Sequence, residues 1–184
     1  NSTTNINGTN LNNNTATENG GGLNNQGNAT ITNNNLTDNN STEGAGIYNN
    51  GTLVSENNTI SGNNATENGG GISNDGNMNS THDNITDNTA GGNGGGINNN
   101  GNLNVEDSNV NNNDATSGAG VYNDKDGKAN INNTNIDNNT ASDYGGGLNN
   151  QGNMNITNNN LTDNNATHGA GIYNNGTLIS ENNT

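Results

Sequence analysis

Residues 20–59 read GGGLNNQGNATITNNNLTDNNSTEGAGIYNNGTLVSENNT, and residues 145–184 repeat them with 35 of 40 positions identical. A shorter period runs inside each copy. A glycine triplet, or Gly-Ala-Gly, precedes one aliphatic residue at Leu23, Ile47, Ile72, Ile97, Val121, Leu148 and Ile172, at spacings of 24, 25, 25, 24, 27 and 24 residues. Two residues later stands asparagine every time: Asn25, Asn49, Asn74, Asn99, Asn123, Asn150 and Asn174. Self-similarity at a fixed period of this size marks stacked repeats.

The remaining columns keep the same register. A glycine stands at Gly27, Gly51, Gly76, Gly101, Gly127, Gly152 and Gly176. Two residues beyond it comes Ala29, Leu53, Met78, Leu103, Ala129, Met154 or Leu178, and nine beyond it Leu36, Ile60, Ile85, Val110, Ile136 or Leu161. Asparagine returns three residues later at Asn39, Asn63, Asn88, Asn113, Asn139 and Asn164, and two further on a small residue follows, Ser41, Ala65, Ala90, Ala115, Ala141 or Ala166. The apolar stations sit in short alternating segments separated by Gly and Asn turns, which is the pattern of brief strands. The spacing therefore predicts an all-β, right-handed parallel β-helix (β-solenoid) over residues 1–184, with three short strands per coil, about 25 residues per coil and seven to seven and a half coils. Parallel strands stack at ~4.8 Å, so the rod should be roughly 35 Å long.

Composition decides what such a rod can be made of. Asparagine accounts for 58 of 184 residues, hydrophobic residues for 22 %, and Pro, Cys, Phe and Trp are absent. Low hydrophobicity with high charge ordinarily leaves a chain disordered, because too little apolar area is buried to offset ordering entropy. The register of the repeat overrides that reading. Asparagines stacked turn upon turn can pass side-chain amide hydrogen bonds along the axis, as in cross-β ladders, and so satisfy polar groups that a thin core cannot. Both asparagine columns, Asn25 to Asn174 and Asn39 to Asn164, are predicted to form such ladders. Asn and Gly also tolerate the left-handed backbone of tight corners.

The same figures exclude several functions. A net charge of −15 with two Lys and no Arg repels nucleic acid. No run of five apolar residues exists, so no membrane insertion is expected in this segment and no signal-peptide core is present. Thiolate metal sites need cysteine and are excluded. The 125-residue offset of the 20–59 repeat equals five coils and suggests a window of a longer tandem array, whose end coils should meet more repeat, a cap or another subunit.

Candidate sites are few. Glu18, Glu43 and Glu67 occupy the corner before the glycine triplet in successive coils, and oxygen-rich corners bind hard cations, so they are weak calcium candidates. Tyr48, Tyr122 and Tyr173 follow the aliphatic of the Gly-Ala-Gly coils and, by strand alternation, should face outward as surface contacts. Asp38, Asp87 and Asp163 share a column but are separated by Gly62, Asn112 and Asn138, and His82 and His168 fall in different columns. No catalytic residue and no cofactor site is assigned. Nineteen Asn-x-Ser/Thr sequons, among them Asn35, Asn50, Asn84, Asn160 and Asn175, make the chain a potential glycoprotein if it is exported.

These columns resemble known families. Gly-Gly-Gly-Leu or Gly-Ala-Gly-Ile followed by aliphatic-x-x-Asn, as from Leu36 to Asn39, Ile85 to Asn88 and Leu161 to Asn164, is similar to the paired repeats of the chlamydial polymorphic outer-membrane proteins. Here the triplet stands where that pattern has Gly-Gly-Ala, and no Phe opens the second motif. The phrase Gly44 to Leu53, with Ile47, Tyr48, Asn49, Asn50 and Gly51, looks more like the adhesin-like surface proteins of methanogenic archaea. The resemblance implies an exported, non-enzymatic, cell-surface stalk or fibre with an attachment role, meeting a glycan or other cell-surface ligand. Within that class, subunits stacked end to end into a filament are the other arrangement. Outside it, the alternative on this fold is a pectin-lyase-like enzyme acting on polysaccharide through clustered aspartates.

Overall fold

The computed structural model describes residues 3–184. Every regular element among them is a β-strand, and the strands pair in parallel with their neighbours one coil away. One coil illustrates the rest. Its strands are Leu23–Asn25, Asn28–Thr32, Asn35–Thr37 and Asn40–Ser41. The next coil lies in register on all four, with Leu23 opposite Ile47, Ile31 opposite Ser55, Leu36 opposite Ile60 and Asn40 opposite Asn64. Stacking these coils produces four parallel sheets, of eight, seven, seven and five strands. The β-solenoid of about 25 residues per turn is thus the structure the repeat predicts.

The three segments inferred from the apolar stations are present, and a fourth strand joins them. It carries the small-residue column, Asn64–Ala65 and Thr89–Ala90 among its members. Only Ser or Ala points inward at this column, at Ser41, Ala65, Ala90, Ala115 and Ala141.

Alternation sets the core. In Asn28–Thr32 the side chains of Ala29 and Ile31 turn in while Asn28 and Thr30 face out. Leu36, Ile60, Ile85, Val110 and Ile136 stack with no exposed surface, as do Ile47, Ile72, Ile97, Val121 and Leu148. The core is therefore a narrow column of aliphatic stripes in contact from coil to coil, and a separate cluster of Ala90, Ala115, Ala119 and Ala141 fills the corner beside it.

Each coil turns three times through the left-handed region. Asn33, Asn57, His82, Asp107, Asn133, Asn158 and Asn182 hold φ between 49° and 57° after the longest strand. Asp38, Asp87, Asn112, Asn138 and Asp163 hold φ of 52° to 58° after the next, with Gly62 at 65°. A glycine supplies the third turn. Short polar side chains that bond locally are the non-glycine residues that tolerate this conformation, which accounts for the aspartates at Asp38, Asp87 and Asp163.

Backbones approach so closely at the Gly27 column that a side chain has no room: a Cβ on Gly76 would sit 2.1 Å from the carbonyl oxygen of Gly51. Gly76→Ala should therefore destabilise the rod by about 1–3 kcal/mol through forced backbone displacement. Gly171→Ala, where a Cβ meets nothing within 4 Å, should leave the thermal unfolding midpoint nearly unchanged.

Candidate functional site

Immediately after two of the three left-handed turns the chain points a polar side chain inward, and these side chains form two of the ladders. In the Asn39 column each residue's backbone N–H and Nδ2 both donate to Oδ1 of the asparagine one coil on: Asn39 to Asn63 at 3.0 and 3.0 Å, Asn63 to Asn88 at 3.1 and 2.9 Å, Asn88 to Asn113 at 3.0 and 3.1 Å. The second Nδ2 hydrogen reaches a backbone carbonyl, as from Asn63 to Leu36 and Asn88 to Ile60. The series continues through Asn139 to Asn164. Every valence of these buried amides is used.

The Asn25 column forms a second ladder. Nδ2 of Asn25, Asn49, Asn74, Asn99, Asn123 and Asn150 donates to Oδ1 of the next member, ending at Asn174, over 2.7–2.8 Å. It also donates to the carbonyl of the glycine two residues on or, in the fifth coil, of Gly127. Both predicted ladders are therefore present as hydrogen-bonded columns.

A third ladder went unread in the sequence because its column is chemically mixed: Asn34, Asn58, Asp83, Ser108, Thr134, Asn159 and Asn183. Asn34 N–H and Nδ2 donate to Asn58 Oδ1, and Asn58 N–H and Nδ2 to Asp83 Oδ1. Asp83 N–H donates to Ser108 Oγ, and Thr134 N–H to Asn159 Oδ1. The signal that could have found it is positional, a buried polar residue directly following each left-handed turn. Asp83 has no exposed surface, and burial raises its pKa above the ordinary aspartate value despite hydrogen bonds from Ser55, Ser80 and Asn58 that pull the other way. Among the described residues one buried side-chain polar atom lacks a partner, the hydroxyl of Ser73.

The tyrosines do not all face solvent. Tyr48 is 8 % exposed and donates its hydroxyl to Asp75. The expectation of a solvent-facing ring fails there: Tyr48 is stacked between Asn24 and Ser73 of the neighbouring coils, and Ser73, Asn98 and Asn149 in the same column are buried as well. Burial, then the Asp75 contact, pushes the Tyr48 phenol well above its ordinary value. Tyr122 is half-buried, and burial and Asp124 raise it too. Tyr173 is half-buried and lies against Tyr144, with centroids 4.7 Å apart and planes tilted by 51°. Tyr144, 38 % exposed, also stacks on His168 at 5.0 Å and 21°. This three-ring group is the aromatic surface feature that sequence columns alone did not bring together, since Tyr144 and His168 become neighbours through the pairing of their corner.

The corner glutamates are tied by backbone bonds rather than by their carboxylates: Glu43 N–H bonds to the Glu18 carbonyl, which sets Glu43 beside Asn19, and Glu67 N–H bonds to the Thr42 carbonyl. The Gly-Ala-Gly corner is one residue shorter, so Glu43 faces Asn68, whose Nδ2 donates to its carboxylate at 3.3 Å. Among the described residues no group of three or more His, Cys, Asp or Glu is placed to hold a metal ion.

Other surface features are sparse. A shallow recess of about 260 Å³ lies on the eight-stranded sheet and is lined by Asn79, Asn104, Asn130 and Lys128 without a carboxylate or imidazole. His82 Nε2 lies 3.7 Å from Asp107, and Lys125 pairs with Asp126 in the inserted loop. Comparison with known protein families, with curated proteins and with solved structures found no match.

Truncating a central rung exposes the cost of the arrangement. Asn88→Ala strips partners from Asn63 N–H and Nδ2, the Ile60 carbonyl and Asn113 Oδ1. At about 1–3 kcal/mol for each buried group left unsatisfied, urea unfolding should show a loss of at least about 3 kcal/mol. Asn10→Ala, which removes an exposed partner of Asn35, should stay within about 0.5 kcal/mol.

Proposed function

We propose that the chain is a segment of a non-enzymatic, extracellular structural protein, a stiff cell-surface stalk or fibre with an attachment role. The observation that carries this reading is the uninterrupted hydrogen-bonded ladder through successive coils, which spends inward-facing polar side chains on axial cohesion. The aspartates that share a column, Asp38, Asp87 and Asp163, act as left-handed turn formers. The recess on the broad sheet offers amides and one lysine, which suits weak polar contact better than acid–base chemistry. Attachment is assigned to the Tyr144, His168 and Tyr173 rings on the corner face, with neutral glycan as one fitting ligand class.

Export by a host that glycosylates asparagine would partition the sequons: the exposed Asn50 and Asn175 would be modified, whereas Asn39, buried in its ladder, would not.

Rod length tests the reading. Each added five-coil repeat of 125 residues should lengthen a particle by ~24 Å, the product of five coils and the ~4.8 Å strand spacing. Electron microscopy of proteins carrying one, two and three such units should give straight rods of linearly increasing length. Flexible or globular particles would refute the stalk, and fibres longer than one chain would identify end-to-end stacking instead. Release of reducing ends from polysaccharide that disappears with Asp87→Asn would establish the enzymatic alternative.

A further inference from the structure

Asp83 occupies a position built for asparagine. In that ladder every asparagine gives one Nδ2 hydrogen to a backbone carbonyl one coil back: Asn34 to Ile6, Asn58 to Ile31, Asn159 to Ile131 and Asn183 to Ile156. Ile6, Ile31, Ser55 and Ser80 are successive partners in the eight-stranded sheet. The register therefore presents the Ser55 carbonyl to the second oxygen of Asp83. An ionised carboxylate there would set two acceptors against each other. A neutral acid carries an O–H where asparagine carries N–H.

Polar side chains surround this carboxyl. The column that is isoleucine or valine at Ile6, Ile31, Val105, Ile131 and Ile156 is serine at Ser55, Ser80 and Ser180, and the first two of these lie in the coil before Asp83 and in its own coil. Ser80 Oγ donates to Asp83 Oδ2 at 2.7 Å, Asn58 donates twice to Oδ1, and the Ser55 hydroxyl also bonds to the carboxyl. Ser108 on the other side spends its hydroxyl on the Glu106 carbonyl. No charge compensates a carboxylate here. The titratable groups on the packed elements, Glu56, His82, Glu106 and Asp107, all lie on the outer side of their strands and turns.

We propose that Asp83 is a proton-binding site inside the rod, held as the neutral acid so that its O–H completes the ladder toward Ser55, and that loss of this proton loosens the joint between the second and third coils. The sign follows from an acid whose pKa is higher folded than unfolded. Its stabilising contribution is complete below the ordinary aspartate value of about 3.9 and is lost as pH rises through the higher folded value.

Two measurements test this. A pH titration of the wild-type protein by carbon NMR should show the Asp83 carboxyl ionising at higher pH than the exposed aspartates, and titration together with them would overturn the proposal. Thermal unfolding should then be compared between wild type and Asp83→Asn from about pH 3 to about pH 8, spanning ionisation of an aspartate. Asp83→Asn should match wild type at the acid end and melt at least about 2 °C higher at the alkaline end. A difference that does not change with pH, or a variant less stable at the alkaline end, would overturn the proposal.

Discussion

The hydrogen bond from one asparagine amide to the next, one coil along, is the constraint on which the rest of the structure depends. An amide has two donors and an acceptor with two lone pairs, and at Asn63 or Asn88 all are used. Leaving one unmade in a buried position costs more than making it gains. A coil can thus change length between Val121 and Leu148, where the spacing is 27 residues, while Asn123 still donates to Asn150 at 2.8 Å. The inserted residues are expelled into the exposed loop around Lys125. Variation is tolerated between ladder positions and not at them.

The ladders explain how a chain that is 22 % hydrophobic becomes ordered. The apolar stripes are continuous but thin, and the volume a larger core would fill with side chains is occupied by amides that pair with each other and with backbone carbonyls. Left-handed turns place the amides of two ladders, and strand alternation from the aliphatic two residues earlier places those of the Asn25 ladder. The residue after Asn57 or Asp87 is directed inward because the turn reverses the outward path of the strand. Glycine is needed where two backbones touch, as at Gly51 and Gly76, and Asn or Asp serves where the turn faces solvent.

Most of the fold was legible because its period is written directly in the sequence. Glycine triplets, the following aliphatic and two asparagine columns suffice to set coil length, strand positions and core. The third ladder was hidden because Asn, Asp, Ser and Thr can each take a hydrogen bond at one site, so chemical equivalence did not appear as identity. The burial of Tyr48 was also beyond reach, since alternation assigns a side to the ring but does not reveal its bond to Asp75 of the next coil. Glu18, Glu43 and Glu67 looked aligned by counting. A corner one residue shorter at Gly44 moved Glu43 opposite Asn68. Local insertions of one residue, invisible to a column average, decide what surface side chains meet.

In the three inward ladders the asparagine rungs all point the same way, while exposed pairs such as Asn35 to Asn10 run in the opposite direction. In each ladder the nitrogen of one residue addresses the oxygen of the residue in the coil that follows it in sequence, from Asn14 to Asn39 and from Asn25 to Asn49 onward. A plane drawn across the rod therefore meets N–H groups from below and oxygens from above at every ladder. Such a stack has a direction, much as a row of aligned magnets does. Two such rods can share ladders across a junction when nitrogen-bearing and oxygen-bearing ends meet, and are mismatched when like ends do, which makes the axis of any assembly built from these coils vectorial.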